Sequence, residues 1–461
     1  MSATDPVIIV GAGPAGVSAA GALVEAGQKP ILIDEGMFPG GQIFRRAPAP
    51  LARSGKDTYG FEATRAHALG EHFAAILPSI TYYPETLIWG IEPGTIHLAR
   101  KDGALRQPWT RLIVAPGAMD RIVPVKGWTG PGVFTLGGAQ IALKAQASLI
   151  GGEVVFVGSG PLLYLVAYQY ARAGARVVAV LEHADPFRHV SALAGLVAGG
   201  RILAKGLYYM AWLRAHGIVV ETRAEPTEIL RNRNGRVSGV RFLKGTRETT
   251  LTCDAVGIGY GLKSETQLAD LLGVDFIFDR QHRQWLPKTD ADGRSSVKGV
   301  YFAGDGLAIR GSEVAEMTGE LAARALLADE ASAYAPPVSG LRQRVARMDE
   351  FRRALDGVFP FPSRMASMSP DDTVICRCEG LTAGSLREAV TTSGECDINR
   401  IKAFTRLGMG RCQGRVCAPM AAELIAAQAA VDIAAVGRIR GQAPVKPVPL
   451  TALARRTHDQ L

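Results

Sequence analysis

The chain has 461 residues, 47% of them hydrophobic and 21% charged, with a formal charge of +9 and a pI near 9.3. That is an ordinary composition for a soluble globular protein, and the length predicts two to four domains. A basic surface suits nucleic acid, an anionic membrane or an acidic protein. However, no nucleic-acid motif is present, and no apolar run reaches the roughly 18–20 residues of a membrane helix. The apolar start at Val7 lacks a basic leader, so a cytoplasmic protein is expected. Its six cysteines would then be free thiols or metal ligands rather than disulfides.

Residues 7–10, VIIV, predict a strand buried on both faces. Gly11-x-Gly13-x-x-Gly16 follows directly, then an Ala-rich helical stretch to about Ala26, Gly27 as its stop, and a second strand at 30–33 ending on Asp34 and Glu35. Gly11 permits the tight turn, Gly13 lets a pyrophosphate approach the backbone, and Gly16 lets helix and strand pack closely. The helix N-terminus, opened by Pro14 and Ala15, faces the phosphates, and the acid takes ribose hydroxyls. This is a dinucleotide site.

Three later stretches point to FAD. PGGQI at 39–43, with Gly41 and Gln42, resembles the loop that passes the flavin in thioredoxin-reductase-like flavoproteins. LIVAPGA at 112–118, with Ala115 and Gly117, resembles the exit from their FAD domain. VYFAGD at 300–305, with Gly304 and Asp305, resembles the motif whose Asp binds the ribityl chain and pyrophosphate, and the helical pattern after Ser312 places another helix near the flavin. The resemblance covers residues 5–330 and implies an α/β fold with two dinucleotide-binding domains, of the thioredoxin/glutathione-reductase type. Its FAD domain is expected at 1–120 and 245–330, its second Rossmann domain at 121–244.

The second fingerprint is degenerate. It keeps strand, Gly158-x-Gly160, helix and strand to Glu182, but its third glycine is Leu163, and no arginine cluster follows to take a 2′-phosphate. The main expectation is a structural domain without nicotinamide turnover; altered NADH binding or another adenine nucleotide stays open. No CxxC lies near the flavin. Cys253 reads as a buried small hydrophobe, His183 and His189 as surface residues, and Tyr82 and Tyr83 as packing. Two prolines mark a linker after residue 330, and 341–355 predicts an Arg-rich amphipathic helix, most simply a solvated face and otherwise a docking face. The linker with its helix spans 331–370.

A small helical module at 371–440 holds Cys376-x-Cys378 and, 33 residues on, Cys412-xxxx-Cys417. Zinc knuckles space their ligands by two to four residues. Four Cys are also the usual set for a [2Fe–2S] cluster, and the glycines of GMGRCQGRVC would turn backbone N–H groups toward sulfur. The pattern resembles the bacterioferritin-associated-ferredoxin [2Fe–2S] domain, departing from its simplest members in the last spacing. Cys396 has no near partner.

The whole chain, with its PVKPVPLTALA stretch in a 441–461 tail, resembles the α (A) subunit of heteromeric FAD-dependent amino-acid and opine dehydrogenases. That group includes octopine and nopaline oxidases, D-hydroxyproline dehydrogenase and hydrogen cyanide synthase. The resemblance implies a separate FAD-dependent, amino-acid-oxidase-like β subunit that oxidises a C–N bond, while this chain passes electrons to a quinone or another one-electron acceptor. It leaves open an FMN at the interface between subunits, a small third subunit and peripheral attachment to the inner membrane. No catalytic residues are assigned within this chain. A single-chain NAD(P)H-dependent reductase and a redox or iron sensor are the competing readings.

Overall fold

A computed structural model describes residues 5–186, 193–330 and 337–454. His189, residues 331–336 of the linker and the last seven residues of the tail lie outside them. Two parallel sheets carry the body. The first is ordered Val300–Phe302, Leu112–Val114, Ile8–Val10, Ile31–Ile33, Thr81–Tyr83. All but the last edge strand are fully buried, which explains why they read as unbroken apolar runs.

The helices Pro14–Glu25 and Ser312–Asp329 pack on this sheet and on each other. Their closest approach is set by Gly319, where a Cβ would meet the Ala15 carbonyl oxygen at 2.0 Å. Gly16 is as tightly placed, with the Gly11 oxygen 1.7 Å from its would-be Cβ. Any side chain at either position would force helix from helix or helix from strand.

The second sheet is ordered Val219–Thr222, Arg176–Glu182, Glu153–Ser159, Ala255–Tyr260, Val133–Thr135. The strand Ala255–Tyr260 pairs with Glu153–Ser159 from Val154↔Ala255 to Ser159↔Tyr260. The second domain therefore closes near Tyr260, not at 244 as the motifs predict. The reason is physical: AVGIGY is buried on both faces, and such a run fits the centre of either sheet equally well. Leu262–Ser264 then returns to the first domain by pairing with Ala118–Asp120.

The Arg-rich helix is present as Ser339–Val358. Four of its five arginines are exposed, which fits a solvated face. Arg342 grips buried Asp292 through two contacts of 2.6 and 2.5 Å, and Arg352 turns inward.

The cysteine module has three helices, Ala383–Ser393, Ile398–Thr405 and Ala418–Ala429, plus a two-strand hairpin on which Cys376 pairs with Leu381. It shares one apolar core with the second sheet, in which Trp128, Val256 and Phe242 join Ile375, Leu386, Ile401 and Leu424. No helix among the described residues is long and apolar enough to cross a membrane.

Candidate cofactor sites

The turn 11–16 and the loop 39–43 face each other across a narrow gap. A Cβ on Gly13 would find only the Gly41 Cα, at 3.8 Å, and the loop is tied down by Gly40 N–H donating to the Ala12 oxygen at 2.8 Å. Gly11, at φ +95°, presses on the exit strand: its Cβ would strike the Ala115 oxygen at 2.3 Å. Two opposed glycines at a helix N-terminus fit a pyrophosphate, because only backbone N–H groups and no side chain line the approach. Pro14 supplies the first helical residue and Ala15 the contact with Gly304, whose own Cβ would lie 2.9 Å from that of Ala15.

Asp34 accepts hydrogen bonds from the N–H groups of Ala12 and Gly36, both at 2.5 Å. Burial raises its pKa while these two bonds oppose the rise. The acid thus fixes the turn and keeps lone pairs for a ribose. Beside it the buried Tyr82 hydroxyl has no hydrogen-bond partner, and Asp34 helps to raise its pKa. That orphan polar atom at the ribose end also fits a bound nucleotide. Glu35 points elsewhere, to Lys446 of the tail. Asp305 accepts from the N–H groups of Arg310 (2.9 Å) and Gly311 (3.0 Å) through one oxygen. Desolvation lowers the pKa of half-buried Arg352, and the charge of Asp305 partly offsets that fall. Gln42 accepts from Arg45 at 2.6 Å, and buried Lys144, its pKa lowered to about 8 by desolvation, donates to the Ile43 oxygen at 3.1 Å. Gly117 accepts the Glu265 N–H at 3.0 Å.

The corresponding turn of the second domain carries a leucine in place of the third glycine. Leu163 is 0% exposed and belongs to the core with Phe156 and Tyr170. Glu182, also 0% exposed, accepts from Gly160 N–H (3.0 Å) and Ala184 N–H (2.9 Å), and burial pushes its carboxyl up to about 7. Cys253 is buried, and its thiol rises to about 12 through the same desolvation. His183 is half-buried rather than on the surface, and desolvation lowers its pKa.

The four paired cysteines come together as a string of contacts. Cys376 meets Cys417, Cys417 meets Cys412, and Cys412 meets Cys378. Hydrogen bonds from Cys417 pull Cys376 down to about 6 and Cys412 to about 5, and these bonds raise Cys417. Backbone N–H groups of Gly408, Gly414, Val416 and Glu379 help, as the glycine-rich loop predicts. Gly410 is indispensable to the approach, since its Cβ would lie 2.3 Å from that of Cys378. Among the described residues no three His, Cys, Asp or Glu converge as a single ion would need; a two-iron cluster divides its thiolates between its irons. Such a group binds thiolates; Cys376 and Cys412 are already lowered toward that form, whereas desolvation raises Cys378. Cys396 and Cys253 stand apart.

The cysteine module is bolted to both domains of the body. Arg283 forks onto Glu423, which is 3% exposed, through two 2.6 Å bonds. Trp128 Nε1 donates to the Val374 oxygen at 2.6 Å. Gln267 donates to the Gln413 oxygen at 3.0 Å, and Arg415 lies 3.5 Å from Glu265. The loop carrying Cys412 and Cys417 therefore rests on 265–267, whose backbone bonds to Gly117. A cavity of about 120 Å³ remains at this seam, lined in part by Arg121, Lys263, Gln284, Trp285 and Arg415. Sequence reasoning missed Glu265, Arg415, Lys263 and Arg352. No local pattern marks them, because the seam and the flavin end join segments far apart in the chain.

Residues 5–326 match the pyridine nucleotide-disulphide oxidoreductase family, and residues 374–427 match the BFD-like [2Fe-2S] binding domain. FAD and a [2Fe–2S] cluster are thus the cofactors of the two regions. The A subunit of opine oxidase from Agrobacterium tumefaciens (strain Ach5) is 36% identical, over 98% of this chain and 92% of its own length. The HcnB subunit of hydrogen cyanide synthase from Pseudomonas aeruginosa is 31% identical, over 96% and 97%. Among solved structures, L-proline dehydrogenase from P. horikoshii superposes with a TM-score of 0.71 at 20% identity, over 98% of this chain and 79% of that one, which shows a shared fold. With both domains matched in order and near-complete overlap with these relatives, the chain belongs to the pyridine nucleotide-disulphide oxidoreductase family, in the group that contains the opine oxidase A subunits and HcnB.

Proposed function

We propose that this chain is the electron-transferring subunit of a heteromeric dehydrogenase that oxidises the C–N bond of an amino acid, imino acid or opine. In this reading Gly11, Gly13, Gly16, Asp34, Gly41, Gly304 and Asp305 hold FAD, and Cys376, Cys378, Cys412 and Cys417 hold the cluster. A flavin takes two electrons and a [2Fe–2S] cluster passes them singly, which suits a one-electron or quinone acceptor. The observation that carries the reading is the seam: the Cys412–Cys417 loop sits on Glu265 and Gln267, one hydrogen bond from Gly117. The residues here orient and shield, and none forms a substrate-oxidising set. The opine oxidase and hydrogen cyanide synthase relatives are themselves subunits of larger enzymes, so the substrate is assigned to a partner flavoprotein.

The test is anaerobic bleaching. Amino acids or opines should bleach the purified chain only when a companion amino-acid-oxidase-like flavoprotein is added, and NADH should not. Rapid bleaching by NADH alone would replace this reading with the single-chain reductase.

A further inference from the structure

The thiols are unequally covered. Cys376 and Cys417 are buried and Cys412 is half-buried, whereas Cys378 is exposed. Two turns frame it. One is its own, 377–380. The other follows the helix Ile398–Thr405, and is held there by Gly410 lying against Cys378 and by the Arg406–Glu379 pair at 2.8 Å.

Together they present Phe404, 64% exposed, and Met409, 37% exposed, beside the exposed Arg377, Arg406 and Arg411. Glu379 offsets Arg406. Arg377 lies over the Trp128 ring at 5.9 Å, and neither it nor Arg411 has a carboxylate partner among the described residues. The face is therefore an apolar centre with an uncompensated cationic rim, the make-up of a surface that meets an oppositely charged protein. It surrounds Cys378, the most exposed of the four thiol ligands. The opposite side of the same loops is consumed by the seam with the flavin domain.

We propose that this face docks an acidic one-electron carrier protein, and that electrons cross between cluster and carrier at Cys378. The proposal rests on the cluster assignment above. The step is one electron: the reduced cluster is oxidised, the carrier's redox centre is reduced, and no bond or proton moves. Charge complementarity selects an acidic carrier over a basic one, and the apolar centre at Phe404 and Met409 gives close, dry contact where the ligand lies.

The experiment uses the full chain with its cofactors. The reduced protein is mixed in stopped flow with ferricyanide, an anion, and with tris(phenanthroline)cobalt(III), a cation, and cluster oxidation is followed by absorbance. Binding of an acidic flavodoxin is measured in parallel by calorimetry. Three proteins are compared: wild type, Arg377→Glu/Arg411→Glu, and the control Arg233→Glu/Arg236→Glu at an exposed hairpin tip. At low salt the first double variant should slow ferricyanide several-fold, speed the cobalt complex, and weaken flavodoxin at least tenfold. Added salt should erase these differences, and the control should stay within twofold of wild type. Equal behaviour of both double variants, or no flavodoxin binding to wild type, overturns the proposal. So does a companion flavoprotein that, once bound, removes the difference between the two oxidants, since the face would then be the interface between subunits. A wild type without a [2Fe–2S] paramagnetic signal is a separate result: it defeats the cluster assignment itself.

Discussion

The two dinucleotide folds start from nearly the same sequence plan and end in opposite states. In the first, Gly13 and Gly41 touch backbone to backbone, and an orphan tyrosine hydroxyl lies beside Asp34. In the second, Leu163 occupies the core and Glu182 spends both oxygens on its own turn. Asp34 makes the same kind of backbone contacts. What differs is that Glu182 is sealed and its carboxyl sits near 7. The second fold thus keeps its strand–turn–helix geometry with a buried leucine where the first has the glycine that packs helix on strand. The second domain still has work as a platform, because its sheet shares a core with the cysteine module.

The largest effect should come from a side chain at Gly13. Gly13→Leu is expected to leave less than about a tenth of the wild-type flavin after desalting, read from the absorbance spectrum, because a branched side chain would occupy the pyrophosphate approach. The matching change, Gly160→Leu, should keep the flavin. Gly160 has φ +105° with open space around its Cβ position, so the cost is backbone strain of about 1–3 kcal/mol, visible as a lower Tm. Loss of flavin in both variants would break the contrast between the folds.

Next in size is Leu163→Ala. Deleting a fully buried leucine costs about 2–5 kcal/mol, so chemical denaturation should shift strongly. Flavin reduction by NADH should stay slow, since Glu182 remains turned onto its own backbone. A variant as stable as wild type would show that Leu163 does not plug the fold.

Glu182 gives a smaller effect with a defined pH signature. Its folded pKa, near 7, lies above the ordinary carboxylate value of 4.5, and burial is the main cause. The folded state therefore binds the proton more tightly. The stability is fully present below about 4.5 and is lost as pH rises through about 7. Wild type should lose roughly 2–3 kcal/mol across that window, on top of any other titration. Glu182→Gln, neutral at every pH, should flatten that part of the curve. An unchanged pH profile in the variant would mean that the carboxyl is ionised and compensated throughout.

Much of this contrast is legible in the chain. Gly11, Gly13, Gly16 and Asp34 announce an open fold because each does a local task within some twenty residues. Leu163 marks the departure of the second fold from that pattern for the same reason. The paired cysteines are legible by spacing, and the helices between them by pattern. Long-range placement is not. The strand Ala255–Tyr260 is predicted in the wrong sheet because burial on both faces carries no address. The arginines of Ser339–Val358 read as solvated and most are exposed, but the partner of Arg342, buried Asp292, lies fifty residues away and no local pattern marks it. Glu265 and Arg415 are 150 residues apart and lie in ordinary polar loops.

The smallest effect concerns the tail. Lys446 pairs with Glu35, at the end of the first fold's second strand, and Val445 N–H donates to the Trp89 oxygen at 2.9 Å while its side chain is 2% exposed. The second fold has no such strap among the described residues. Glu35 is 54% exposed, so the ion pair itself is worth only about 0–1 kcal/mol. Burial of Val445 contributes more, because removing an apolar side chain from a closed site loses its transfer free energy and its packing together. Lys446→Ala should therefore leave the Tm nearly unchanged, with any difference disappearing at high salt, whereas Val445→Ala should lower it measurably at every salt concentration. If the tail held the nucleotide end of the first fold mainly through charge, the order would reverse: Lys446→Ala would be the more damaging change, and salt would mimic it in wild type.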